Sequence, residues 1–389
     1  MKKAALFLPL LLLASGCIAD RPLVKHSARE EKEEVLILES DRHIIENNLF
    51  RLSLYPGLCG GIENITLKNG NIPLLWGGKQ EQITRGPLIV YPKATGVLFM
   101  EKFWRCDDSI ISNMVVKEST PDSVTLYCPE YGSLSAELTR KVTLEKDALA
   151  VRFDVDVKFS SSPREGYTSP WLNLMPSGEV KWVAAIPTVG GDAINGLGNR
   201  TDFPATGIYR GGWHGPNTYF APERNWIAVS APAEKTAMAL LFTCDKRKST
   251  FYSWFSTNFG GKECRTIEVI MPQLALNEKF AGSYSYTLAV FPGISDLREI
   301  IGETAVEVKV DGKLVELTFS AYRAVPARKV TLNITPAGKA SVALGNAELP
   351  ALIPGKAHTL RFQLPETGMK GRFSGTLGSE KFELLDVIR

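Results

Sequence analysis

The sequence predicts an all-β protein, a large β-sandwich followed by a smaller one, on three observations. Short runs of alternating apolar and polar residues recur along the chain, turn residues separate them, and no long amphipathic helical pattern stands out. The clearest run is ALAVRFDVDVKF, in which Leu149, Val151, Phe153, Val155, Val157 and Phe159 share one face while Arg152, Asp154, Asp156 and Lys158 share the other. A period of two over that length is a half-buried strand.

The chain opens with MKKAALFLPLLLLASGC: two lysines, an apolar run from Ala4 to Ala14, and the small residues Ser15 and Gly16 directly before Cys17. Residues 1–17 have the pattern of a signal peptide, and the apolar run is shorter than the roughly 20 residues a membrane span needs. Its ending resembles a bacterial lipobox, which implies a diacylglycerol on Cys17. Ile18 stands where an inner-membrane retention signal carries aspartate, so the expectation is an outer-membrane anchor, on the periplasmic face or at the cell surface. Residues 18–34 are polar and end in REEKEE, as suits a solvated tether.

The large sandwich is expected over 35–296, with strands at LFRLSLYP, GPLIVYP, SVTLYCPE, NWIAVSAP, TAMALLFTC, TIEVIMP and YSYTLAVFP. At PGISDLREIIGET the rhythm changes, and the spacing predicts one short helix over 295–301 at the boundary. Beyond it, VEVKVDGKLVELTF reads as a hairpin whose Asp311-Gly312 would make a type I′ turn. KVTLNI, HTLRFQL, GRFSGTL and KFELLDV add strands, so 303–389 are expected to form an Ig-like sandwich.

Composition excludes several classes. Of 45 Lys and Arg, two lie in the leader, leaving 43 against 42 Asp and Glu, so no basic field exists to attract nucleic acid. Cys59, Cys106, Cys128, Cys244 and Cys264 remain after the leader; their wide spacing gives no zinc pattern and allows up to two disulfides of undetermined pairing. No phosphate loop, HExxH, GxSxG elbow or EF-hand loop is present, and no cofactor or metal is expected. GGDAINGLGNRTDF offers Asp192, Asn195, Asn199 and Asp202 as oxygen donors for calcium, but a plain surface loop explains the same residues better.

Trp171, in TSPWLNLMP, and Trp213, in RGGWHGPNTYF, lie in segments rich in turn residues, where an exposed indole can stack on a sugar ring or simply pack a loop. Arg210, His214 and Tyr219 share the second segment. His214, one of four histidines, has an unperturbed pKa of about 6.5, suited to proton transfer; it fits either a group lining a site or a loop residue that caps backbone. Glu268 alternates with Ile267, Val269 and Met271, so it sits on the face away from the core, as a base or hydroxyl acceptor in a cleft or as a solvated surface carboxylate.

NNLFRLSLYPGLCGGIENITLKNGNIPLLWG and RTIEVIMPQLALNEKFAGSYSYTLAVFPG resemble the opening and the ending of galactose-mutarotase-like (aldose 1-epimerase-like) domains, over about residues 40 to 293. The resemblance implies a β-supersandwich and matches Glu268 to the family's general base. The family's general-acid histidine sits in a segment His-x-aromatic-x-Asn-Leu; SPWLNL has Ser169 there, with Asn173 at the asparagine. A second family histidine has no counterpart in RGPLIVYPKATG. Ordinary mutarotation is therefore not expected, unless His214 supplies the acid. The expectation is a carbohydrate-binding lipoprotein whose concave face uses Trp171, Trp213, Arg210, Tyr219, Asn173, His214 and Glu268. Its rivals are an epimerase or polysaccharide-processing enzyme based on Glu268, and a structural component of a surface complex.

Overall fold

The computed structural model describes residues 42–388, apart from 58–59, 69–73, 75–82, 86–88, 92–98, 104–112, 132–133, 164–167, 175, 177–179, 194–206, 211–216 and 260–261. Cys17, Trp213 and His214 therefore lie outside the described residues, as do Asn195, Asn199 and Asp202. The described residues are nearly all strand and turn, with no α-helix among them, as alternation predicts.

A 14-stranded antiparallel sheet runs in the order Phe99–Phe103, Pro170–Leu174, Lys262–Ile270, Thr250–Phe259, Asn217–Pro222, Val183–Ala193, Trp226–Ala231, Thr236–Phe242, Ala281–Pro292, Ala150–Phe159, Ala136–Leu144, Ser123–Cys128 and Val115–Thr120, with Gly207–Tyr209 pairing to one side. Val183–Ala193 joins its two halves. Residues 183–185 of this strand pair with Trp226–Ala231, and Thr188 onward pairs with Asn217–Pro222 across a register shift between Thr188 and Gly191. A bulge bends a strand and increases its local twist, which lets one long strand serve both layers of a sandwich. The inner faces of both halves meet in one core, where Leu172, Phe220, Phe251, Ile267 and Val269 from one half join Val151, Phe153, Val155, Leu240 and Leu288 from the other. Each such side chain contributes about 1.5–3 kcal/mol by leaving water. A three-stranded sheet, His43–Glu46, Phe50–Tyr55 and Gly61–Leu67, adds Ile45, Phe50, Leu52 and Leu54 to the same core.

Two four-stranded sheets follow: Glu299–Ile301, Thr304–Asp311, Leu314–Ala321 and His358–Gln363 in one, and Val342–Leu349, Arg328–Pro336, Gly371–Leu377 and Glu380–Ile388 in the other. Val308, Leu317, Phe319, Leu332, Ile334 and Phe373 form a second core within them. Val342–Leu349 has no apolar alternation to announce it, since only its last residue is buried.

Two local expectations are corrected. Residues 295–301 are not helical: they run as a turn into the strand Glu299–Ile301, which pairs with Thr304–Asp311. Ile294 and Leu297 are fully buried at the spacing a helix would use, but hydrogen bonds from Leu297 N to Ser230 Oγ and from Arg298 N to Val306 O hold the segment extended across the sandwich. The hairpin turn is not type I′ either. Asp311 is the last strand residue, paired with Leu314, and positive φ falls on Gly312 alone, at 59°, whereas type I′ needs it at both central residues.

Candidate functional site

Glu268 lies toward the end of Lys262–Ile270, where residues 266–269 are buried on both faces. Ile267 and Val269 point into the core, while Glu268 faces the other way and is still only 4% exposed. A carboxylate at that depth needs hydrogen-bond partners to remain charged, and two neighbours provide them. Trp171 Nε1 donates to Glu268 Oε2 at 2.5 Å, and Thr266 Oγ1 donates to Oε1 at 2.5 Å. Thr266 precedes Glu268 by two residues on the same face of the strand, and Trp171 reaches it from the adjacent strand, Pro170–Leu174.

The register extends this pair into a row across the sheet. Met100 pairs with Asn173, Asn173 with Glu268, Glu268 with Tyr252, Tyr252 with Tyr219, and Tyr219 with Asp192. Directly paired residues project from the same face, so Asn173, Glu268, Tyr252 and Tyr219 stand side by side on the face opposite the core. The neighbouring row, Leu172, Val269, Phe251 and Phe220, is the core side of the same strands. The Tyr219 and Tyr252 rings lie 4.7 Å apart and tilted, and the Trp171 ring meets Tyr252 edge-on at 5.9 Å.

Electrostatics follow from this packing. Burial, reinforced by the nearby charge of Glu268, holds the Tyr219 phenol above its ordinary range, so the hydroxyl keeps its proton and serves as a donor. Asn173 Oδ1 is buried and accepts no hydrogen bond, although it stands beside the carboxylate. An acceptor left in that state costs free energy unless a bound molecule supplies the donor.

Of the sequence-predicted residues, the structure thus brings together Glu268, Trp171, Asn173 and Tyr219. Trp171 sits in a regular strand with alternating burial, not in a turn-rich loop, and its indole N–H is engaged by Glu268. Ser169 is buried next to the start of that strand.

Arg210 is placed elsewhere. It follows Gly207–Tyr209, which pairs with Ile186–Thr188, while the row crosses the same strand at Asp192; Ile186 and Asp192 are six residues, or about 20 Å of strand, apart. Its guanidinium is ion-paired with Asp296 and donates to the Leu297 carbonyl oxygen. Arg224, in the APERNW stretch that follows, is likewise committed to Glu299, Glu223 and the Glu383 carbonyl oxygen. The expected contact from Arg210 to a ligand at this row is therefore not formed, because a carboxylate of the protein already holds that cation.

Two members of the cluster, Tyr252 and Thr266, were not singled out by sequence. The signal for Tyr252 was the alternation of STFYSWF, where Phe251 faces the core and Tyr252 the other way; for Thr266 it was its two-residue spacing from Glu268. Among the described residues no group of three or more His, Cys, Asp or Glu could hold a metal. Cys128 and Cys244 are free thiols, while Cys59 and Cys106 lie outside the described residues.

Fold and site together define a class: an all-β sandwich protein with a buried, doubly hydrogen-bonded carboxylate and an aromatic cluster on the sheet face away from its core. No protein-family model matches the chain, and no curated protein does. Solved structures to which it is similar include a candidate aldose 1-epimerase of Escherichia coli K12, at 12% identity and a TM-score of 0.44 over 64% of this chain and 98% of that one. A galactose mutarotase related enzyme of Lactobacillus acidophilus aligns at 10% identity and a TM-score of 0.41, over 66% of this chain and 100% of its own. A TPR-domain containing protein of Parabacteroides distasonis aligns at 13% identity and 0.46, over 63% of this chain and 46% of its own. At these values the likeness is one of chain course, and no residue role passes from those proteins to this one.

Proposed function

We propose that the row Asn173, Glu268, Tyr252 and Tyr219 binds carbohydrate on the sheet face opposite the core of the large sandwich. The observation that carries this is the buried, unaccepting Oδ1 of Asn173 directly beside the carboxylate of Glu268. Two adjacent acceptors, a hydroxyl donor at Tyr219 and aromatic surface around them match a ring that presents hydroxyls at its edge and C–H groups on its face. Recognition accounts for the site better than turnover. A phenol raised by burial is a poor proton source at neutral pH, and Glu268 already holds two donors. Lipid anchoring through Cys17 at the outer membrane, with 18–34 as tether and 303–389 as an Ig-like module, belongs to the same proposal and is supported by the Ser-Gly-Cys ending of the leader.

The test is a glycan array probed with the soluble form beginning at Ile18, beside Asn173→Ala and Glu268→Gln. Binding by the parent that falls at least tenfold in both variants supports the proposal; each lost hydrogen bond to a charged or buried partner is worth about 1.5–3 kcal/mol. Parent binding that survives both changes removes this row as the site. An array with no binding at all favours the surface-complex alternative.

A further inference from the structure

We propose that Trp171 acts on this site as a positioning residue: with Thr266, its indole N–H holds Glu268 as an oriented anion, so the carboxylate accepts ligand hydroxyls rather than abstracting protons. The inference rests on the carbohydrate reading for its ligand, but the geometry behind it belongs to the free protein. Nε1 of Trp171 donates to Glu268 Oε2 and Oγ1 of Thr266 to Oε1, both at 2.5 Å. Hydrogen bonds made to the charged form favour that form. At 4% exposure, burial acts in the opposite direction, and the two donors work against it.

Three features separate this role from a stacking platform. The Trp171 ring is fixed at both ends: its N–H is committed to the carboxylate, and the ring meets Tyr252 edge-on with planes 88° apart. The donors approach different oxygens, which fixes the carboxylate plane as a single donor would not. Tyr219, whose phenol feels the charge of Glu268, adjoins Tyr252 at 4.7 Å and supplies aromatic surface beside the carboxylate. A side chain that must take a proton in each cycle is better served by fewer donors and a midpoint near the working pH. Glu268 has the opposite arrangement, with a donor on each oxygen.

The described titratable groups that face Glu268 are Tyr219 and Tyr252 from the two strands beyond it. Lys102 occupies the register position beside Trp171, and Asp192 the one beside Tyr219. All four are unchanged in the variants below, so a shift between variant and parent reports the donors.

The experiment follows the side-chain carboxyl carbon signal of Glu268 by NMR in selectively labelled, ligand-free protein, with the signal assigned through Glu268→Gln. Trp171→Phe keeps an aromatic ring and removes the N–H; Thr266→Val keeps the shape and removes the hydroxyl. Each is expected to raise the titration midpoint of Glu268 by about one pH unit, and the double variant by more than either. In acid, glycan binding should then be lost at a correspondingly higher pH in Trp171→Phe. Midpoints that stay within a tenth of a unit of the parent in both single variants overturn the positioning role. The titration needs no sugar, so a blank glycan array would sink the carbohydrate proposal while leaving this result standing, and unmoved midpoints beside a positive array would do the reverse.

Discussion

Individual residues carry their chemistry through partners that lie far away in sequence. Trp171 and Glu268 are 97 residues apart, and Trp226 and Glu299 are 73 apart, yet each pair is an indole N–H on a buried carboxylate. Glu299 shows what burial costs: it accepts from Arg224 Nε, Trp226 Nε1 and Ile300 N, and desolvation still outweighs these and raises it above the ordinary carboxylate range. A raised acid binds its proton more tightly folded than unfolded. Its contribution to stability is therefore complete below the unfolded value of about 4.3 and is lost as pH rises through the higher folded value. In Glu299→Gln this dependence disappears. The stability difference between parent and variant, measured by urea unfolding, should favour the parent most near pH 4 and shift toward the variant as pH rises. A difference constant across that range would show that Glu299 does not titrate in this way.

Single elements were the most legible level. The run at 150–159 alternates as expected, with Val151, Phe153, Val155, Val157 and Phe159 buried, because a strand's side-chain period is local and each residue's face follows from its neighbour's. Where a packing contact overrides local pattern, legibility failed: 295–301 has helical spacing but is pulled straight by Ser230 and Val306. Gly371–Leu377 illustrates a constraint of the same tertiary kind. A Cβ on Gly375 would lie 2.0 Å from the Thr331 carbonyl oxygen and 3.0 Å from the Phe382 ring. Gly375→Ala must push the strands Arg328–Pro336 and Gly371–Leu377 apart. It should cost about 1–3 kcal/mol and reduce amide-exchange protection along both strands, while the row around Glu268 keeps its protection. Unchanged exchange in 328–336 would contradict the close approach.

At the scale of the whole molecule, the two cores are fastened to each other. Ala305, Tyr322 and Leu385, from the C-terminal sheets, pack into the larger core. Leu149 N donates to the Tyr322 carbonyl oxygen at 2.6 Å, Ser320 Oγ donates to that of Pro292 at 2.7 Å, and Arg224 bridges Glu299 and the Glu383 carbonyl oxygen. A segment joined at so many points is not a loosely tethered spacer. Residues 42–388 should give one calorimetric unfolding transition. Arg224→Ala, which leaves Glu299 buried without its cation at a cost of about 3–5 kcal/mol, should split that transition in two. A single unchanged peak in the variant would show that the junction does not depend on this bridge.

Sequence alone determined the all-β class, the position of most strands, the near-neutral charge and the placement of Glu268 on the non-core face, because all of these follow from composition or from a two-residue period. It also marked Trp171, Asn173 and Tyr219, though not as neighbours. Only the tertiary structure decided that these three share a row with Glu268 and Tyr252, that Trp171 spends its N–H on the carboxylate, and that Arg210 is held by Asp296. Those facts depend on the register between strands contributed from residues 170, 217, 250 and 262 onward. Register is set by core packing across the whole sandwich, and no local pattern encodes it.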